Sequence, residues 1–185
     1  MDNGASSYRR YLDGDDNAIA EIVAAYKDGL ILYLNGYVNN IFLAEDLTED
    51  TFFRLITKRP WFSGRCSFKT WLYTIGRNLA IDHQRRHRGD SGLSVEALEN
   101  CLAEEADLER ACIREEQKRQ LHRTIRTLNP DYRQVLHLVY FEGFTNREAA
   151  VILRKSERQV RNLLYRARLA LKAALEKEGF TYEEL

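Results

Sequence analysis

Two helix-start signatures standing eleven residues apart constrain the rear of this chain more than any other feature. In "TNREAAVILRKSERQV", Thr145 and Glu148 have the spacing of a capping box, and Ser156 and Gln159 repeat it. In such a box the hydroxyl accepts from the third backbone N–H of the helix while the Glu or Gln side chain reaches back to the capping residue. Two starts this close leave room for a short first helix, about Asn146 to Leu153, and a few connecting residues. The second helix then runs long, from about Glu157 to beyond Leu171. A short helix, a tight turn and a long basic helix are the parts of a helix-turn-helix.

The rest of the chain reads as helical too. Only two prolines occur, Pro60 and Pro130, and apolar residues recur at three and four rather than alternating. In the front, "NAIAEIVAAYKDGLILYLNGYV" and "AEDLTEDTFFRLITK" predict amphipathic helices, the second stopping against Pro60. A break follows at "RPWFSGR", then a helix from about Ser67 through Arg86. In the rear, a helix from about Ala111 to Leu128 precedes "NPD", and another covers "YRQVLHLVYF" up to Gly143.

The formal net charge of zero conceals a division. Residues 1–90 hold twelve basic and twelve acidic residues, 91–113 one and six, and 114–185 fifteen and ten. A balanced front, an acidic middle with glycines and serines, and a basic back predict an all-α chain of two small helical domains joined by a flexible linker. The expected divisions are 1–89, a linker at 90–110, and 111–185.

Several function classes find no support. Cys66, Cys101 and Cys112 are odd in number and form no C-x-x-C pair, so neither a disulfide framework nor a zinc knuckle is indicated. No apolar run is long enough to span a bilayer, and the polar start "MDNGASSYRRYLDGDD" lacks a signal-peptide core, so a cytoplasmic location without membrane insertion is expected. His83 and His87 have the i, i+4 spacing of a helical chelate, yet no H-E-x-x-H surrounds them and no third ligand is evident. With no phosphate-cradling glycine loop or nucleophile triad either, the expectation is a protein that is not an enzyme and has no catalytic residue, metal or cofactor.

The long basic helix offers more. Val160, Leu164, Ala167 and Leu171 form one core-facing stripe, leaving Arg158, Arg161, Asn162, Tyr165 and Arg166 on the outer side. Guanidinium forks suit guanine edges or phosphates and an amide suits adenine, so the face fits a major groove. The plainer alternative is a solvated basic surface. In the front half, "RPWFSGRCSFKTWLYTIGRNLAIDHQRRHR" interleaves Trp61, Phe62, Phe68, Trp71 and Tyr73 with Arg65, Lys69, Arg77, Arg85, Arg86 and Arg88. Aromatics that stack on unpaired bases beside cations that follow phosphates suit single-stranded nucleic acid. Many of these rings also suit a core, and Trp71, Ile75 and Leu79, at i, i+4 and i+8, are expected to be buried.

Together these segments resemble the extracytoplasmic-function (group IV) sigma factors of bacterial RNA polymerase over nearly the whole chain. "AEDLTEDTFFRLI" is similar to the family's polymerase-binding region two, and "SFKTWLYTIGRNLAIDHQRR" to its strand-opening, minus-ten-reading segment. "LNPDYRQVLHLVYFEGFTNREAAVILRKSERQVRNLLYRARLALK" is similar to its region four. The resemblance implies a sigma factor that binds core polymerase and directs promoter-specific initiation. It assigns Asp46, Leu47, Glu49, Asp50, Phe52 and Phe53 to the clamp coiled coil of the largest core subunit. The loop Ser63, Gly64, Arg65, Cys66 and Ser67 would wall a pocket for an extruded minus-ten base contacted by Asn78, with Arg77 and Arg85 from the basic set beside it. Arg161, Asn162, Tyr165 and Arg166 match the minus-thirty-five readers, which Arg158 joins from the same face.

Two departures stand out. Where the family often has glycine in the helix-turn-helix turn this chain has Arg154, and where a Gly-Thr pair often enters the recognition helix it has Arg158 and Gln159. A non-glycine residue at positive φ strains that turn. No further domain is expected after Leu185, so signal sensing is expected from a separate anti-sigma protein. The remaining alternative is a free-standing helix-turn-helix regulator that dimerises through its front half.

Overall fold

The computed structural model describes residues 3–87 and 120–178, and all regular structure among them is helical. The front body comprises α1 (Asn3–Leu12), α2 (Asn17–Val38), α3 (Ile41–Lys58) and α4 (Phe68–His87). The rear comprises helical residues 120–127 (α5), α6 (Pro130–Leu136) running into a π-helical turn at His137–Phe141, α7 (Asn146–Leu153) and α8 (Glu157–Lys177). The linker expected at 90–110 lies outside the described residues.

The ends of the elements follow local chemistry. Asn40 caps α3 by accepting from the Leu43 N–H at 3.2 Å, and α3 stops where Arg59 turns left-handed just before Pro60. Asn129 caps α6 with Pro130 in its first turn, where a missing N–H costs nothing. Both capping boxes of the helix-turn-helix are present, so α7 and α8 begin where the spacing predicts. Ala149 and Ala150 are buried, and such small residues let α7 lie close against its neighbours.

One feature adds to the sequence reading and one differs from it. The polar start forms α1, held by buried Tyr8 and Tyr11, whose hydroxyls donate to the Pro60 and Ile56 carbonyls at 2.8 and 3.2 Å. On α4 the buried stripe is Phe68, Leu72, Gly76 and Ala80, one position round from the predicted one; Trp71, Ile75 and Leu79 are only partly buried. That stripe faces the front body, with Phe68 on Tyr8 and Tyr26 and Gly76 against Leu30, Leu34 and Thr51. On its other side α4 packs on α7.

The two bodies share one continuous hydrophobic core, joined where α4 meets α7 and α2 meets α6. Tyr73 of α4 meets Phe144 edge-on at 5.1 Å between centroids, and Tyr33 of α2 stacks on His137 at 6.0 Å.

Candidate nucleic-acid interface

On α8 the two faces separate as the sequence predicts. Val160 and Ala167 are buried and Leu164 and Leu171 partly so, while Arg158, Arg161, Asn162, Tyr165 and Arg166 are all exposed. Tyr165 keeps 65% of its surface open, which core packing does not explain. Between the two helices, Arg154 adopts φ +53° and ψ +43°. The left-handed geometry that favours glycine is thus carried by arginine here.

The front segment divides more sharply. Trp61 is 83% exposed, whereas Phe68 is fully buried and Phe62 packs on it edge-on at 5.7 Å. Gly64, at φ +68°, turns the loop outward, leaving Ser63, Gly64 and Arg65 exposed and Cys66 and Ser67 half-buried. Asn78 is half-buried on α4 and Arg85 is exposed, its guanidinium 3.3 Å from Asp82. Ten residues separate Phe68 from Asn78, about 15 Å along a helix axis.

Arg77 and Ser67 are already engaged with the rear half. A terminal nitrogen of Arg77 donates to the Leu153 carbonyl at 3.3 Å, and its Nε is buried without a partner. Ser67 Oγ donates to Glu148 at 3.2 Å. Glu148 also closes the α7 capping box, accepting from the Thr145 N–H at 3.0 Å and hydroxyl at 2.8 Å. Burial alone would raise this acid's pKa, but the donors from Thr145, Ser67 and Thr70 outweigh it and hold the pKa below the ordinary value.

On α3, Asp46, Glu49, Asp50 and Phe53 are exposed, Phe53 at 63%. Leu47 and Phe52 are not: at 5% and 6% exposure they face the core, as their spacing against Ala44 and Leu55 requires. Both pack beneath the exposed acids. The outward stripe instead gains Phe42 and Ile56, which alternate with the acids at helical spacing.

Sequence reasoning missed Glu142. Its Oε2 accepts from the Tyr73 hydroxyl at 2.6 Å and pairs with Lys69 Nζ at 2.9 Å; the same ammonium donates to the Glu142 carbonyl at 2.8 Å. His137 Nε2 stands 3.5 Å from the other oxygen, too far for a good hydrogen bond. The π-helical turn places His137 and Glu142 on the same side, closed by the Glu142 N–H to the His137 carbonyl at 3.0 Å. Burial would raise the carboxyl's pKa, yet contacts with His137, Lys69 and Tyr73 bring it down to about 2. Burial first, and then the bond to this acid, push the Tyr73 phenol up. Both groups come from turns of the chain far apart in sequence, so no spacing rule marks them.

His83 and His87 stack at 4.1 Å, and no group of three or more metal-binding side chains occurs among the described residues. No described helix is long and apolar enough to cross a membrane. An apolar groove of about 720 Å³ lies between α5, the π-helical turn and α8, lined by Leu121, Ile125, Tyr140 and Leu169 and edged by Arg168 and Lys172.

Comparison with known proteins agrees with this arrangement. Residues 22–89 match the sigma-70 region 2 family and residues 118–171 the sigma-70 region 4 family. The chain is 30% identical to the RNA polymerase sigma-H factor of Pseudomonas aeruginosa, over 88% of this chain and 89% of that protein. It is 30% identical to the ECF RNA polymerase sigma factor SigM of Bacillus subtilis, over 84% and 93%. Among solved structures, the fold resembles CnrH in complex with the cytosolic domain of CnrY (TM-score 0.62, 23% identity, 95% of this chain and 96% of that one). It also resembles the sigma factor RpoE in complex with the anti-sigma factor NepR from Bartonella quintana (TM-score 0.66, 22% identity, 85% and 96%). This helical pair of bodies, ending in a helix-turn-helix, defines a sigma-70-type transcription factor. The chain belongs to the extracytoplasmic-function family of RNA polymerase sigma factors, and it directs transcription initiation.

Proposed function

We propose that the two halves divide promoter recognition, the rear (111–185) reading the minus-thirty-five duplex and the front (1–89) reading the melted minus-ten strand while docked on core polymerase. The observation that carries this is α8: a capped helix whose Arg158, Arg161, Asn162, Tyr165 and Arg166 stay open while its other face is buried. Arginine and asparagine read base edges with paired hydrogen bonds, and any of the arginines left over bind phosphate.

In the front, Trp61 and the loop around Gly64 supply a stacking surface, and Asn78 supplies an amide that both donates and accepts at a base edge. On α3, Phe42, Phe53 and Ile56 between Asp46, Glu49 and Asp50 form an apolar stripe flanked by acids. Such a stripe suits a basic, amphipathic coiled coil, as on the clamp of the largest core subunit. The protein works by binding, not by catalysis, and acts in the cytoplasm, where polymerase is found.

An anti-sigma partner is part of the same reading. Two structures of this fold are complexes, one of them with an anti-sigma factor. The apolar groove edged by Arg168 and Lys172 suits an amphipathic helix with acidic flanks. The dimeric regulator is not favoured, because both halves match sigma-factor regions.

Footprinting tests the division of labour. Holoenzyme assembled from this chain and core polymerase should protect an upstream duplex block and render a downstream block reactive to permanganate. Protection of a single palindrome by the chain alone would overturn it.

A further inference from the structure

The capping box at the entry of α8 engages one half of an exposed side chain. Gln159 Oε1 accepts from the Ser156 N–H at 2.7 Å, while Ser156 Oγ accepts from the Gln159 N–H at 3.2 Å. The chemistry fixes which amide atom faces the backbone, because an N–H donor can only meet an acceptor. Gln159 nevertheless stays exposed. It stands in the first turn of α8, and the N-terminal residues of a recognition helix are the ones that meet base edges. It also edges one depression of about 260 Å³ with Tyr132, Lys155, Asn162 and Arg166, so it lies among the readers proposed above.

An uncommitted glutamine suits adenine, its oxygen accepting from N6 while its nitrogen donates to N7. Gln159 is differently placed. Its oxygen is drawn back against the helix entry, so the amide presents its nitrogen, with donors alone, to an approaching base. In the major groove guanine offers two acceptors, N7 and O6, adenine and thymine one each, and cytosine only the N4 donor. Asn162, three residues further and inside α8, has no cap to close, so its amide keeps both functions.

We propose that Gln159 is a specificity residue for the upstream duplex, a donor-only reader that favours guanine and rejects cytosine at one position. The inference rests on the minus-thirty-five reading of α8 above. It gives the departure from the family's Gly-Thr pair a consequence for sequence preference. The cap orients the side chain before DNA arrives, so less rotamer freedom is lost when the base is met.

Gln159→Glu tests this with the cap kept, because glutamate closes a capping box as glutamine does and only the outward NH2 becomes an acceptor. Holoenzyme assembled from the full chain and core polymerase is given a promoter library randomised across the upstream block, and the bound DNA is sequenced. At one position the parent should favour guanine over cytosine by about fivefold or more, and Gln159→Glu should reverse that order, since a carboxylate accepts from cytosine N4. Gln159→Ala keeps the bond from the backbone N–H of residue 159 to Ser156 and should lose the preference without gaining cytosine, which serves should the glutamate variant fail to fold. An order unmoved by the folded variants overturns the inference; if Arg161→Ala still relaxes a base pair, the minus-thirty-five reading survives it. Equal weakening of every sequence, with a shallower salt dependence, would place Gln159 on a phosphate and overturn the inference too. A parent favouring adenine at that position would mean that the amide leaves the cap to read, which also overturns it. A parent with no base preference anywhere in the upstream block would remove the minus-thirty-five reading and this inference with it.

Discussion

Glu148 closes the capping box of α7 on Thr145 with one carboxylate oxygen and accepts from Ser67, 3.2 Å away, with the other. The first turn of the helix-turn-helix is thereby tied to the loop proposed to read the minus-ten strand. A residue type chosen for local helix initiation also serves the packing of two bodies, and this coupling frames what individual changes should do.

Arg154→Gly should stabilise the rear half. Arginine at φ +53° bears a steric cost that glycine avoids, and relief is worth about 1 kcal/mol. A thermal or urea unfolding curve shifted to higher stability is expected; a shift to lower stability would mean that the arginine side chain contributes more than the turn costs.

The buried and open positions of α3 should separate in effect. Asp50→Arg, on the exposed face, should weaken co-purification with core polymerase while leaving unfolding unchanged. Leu47→Ala should instead lower stability by about 2 to 5 kcal/mol, because it removes a core side chain. Equal polymerase binding by Asp50→Arg and the parent would remove α3 from the interface.

Much of the rear half was legible in sequence because capping chemistry is local: Thr145 with Glu148 and Ser156 with Gln159 place both helix starts without any tertiary information. The exposed set on α8 followed from periodicity for the same reason. Tertiary context decided the rest. The α4 stripe lies one position round because the front body sets it: Phe68 meets Tyr8 and Tyr26, and Gly76 lies against Leu30, Leu34 and Thr51, partners that no spacing on α4 reveals. Leu47 and Phe52 face inward, a burial that the motif match alone does not reveal because a motif lists residues without their facing. Glu142 gave no signal, its partners Lys69 and Tyr73 lying about seventy residues away.

Acid should weaken the contact of Glu142 with Lys69 and Tyr73 within a definite window. The Glu142 carboxyl is depressed from 4.5 to about 2 in the folded chain. Its contribution is therefore fully present above about 4.5 and is lost as pH falls through about 2. In Glu142→Gln the difference in stability from the parent should shrink across that range, measured by urea unfolding at a series of pH values. A constant difference would mean that the carboxylate charge contributes nothing to the contact with Lys69 and Tyr73.

Asn78→Ala should spare polymerase binding and minus-thirty-five contact but impair open-complex formation or its base selectivity. Permanganate reactivity on a duplex promoter and on one pre-melted at minus ten, each with single-base substitutions, checks this. Unaltered opening and preference on both templates would remove Asn78 from the site.

The central claim, that α8 reads the upstream duplex while the front half reads the opened strand, is tested most directly by mapping transcript starts made by core polymerase with this chain. Starts should share two sequence blocks. Arg161→Ala should cost about 1 to 3 kcal/mol and relax one base pair of the upstream block, leaving the downstream block intact. Uniform loss at every promoter would reassign Arg161 to the phosphates, and starts no different from those of core polymerase alone would contradict the account.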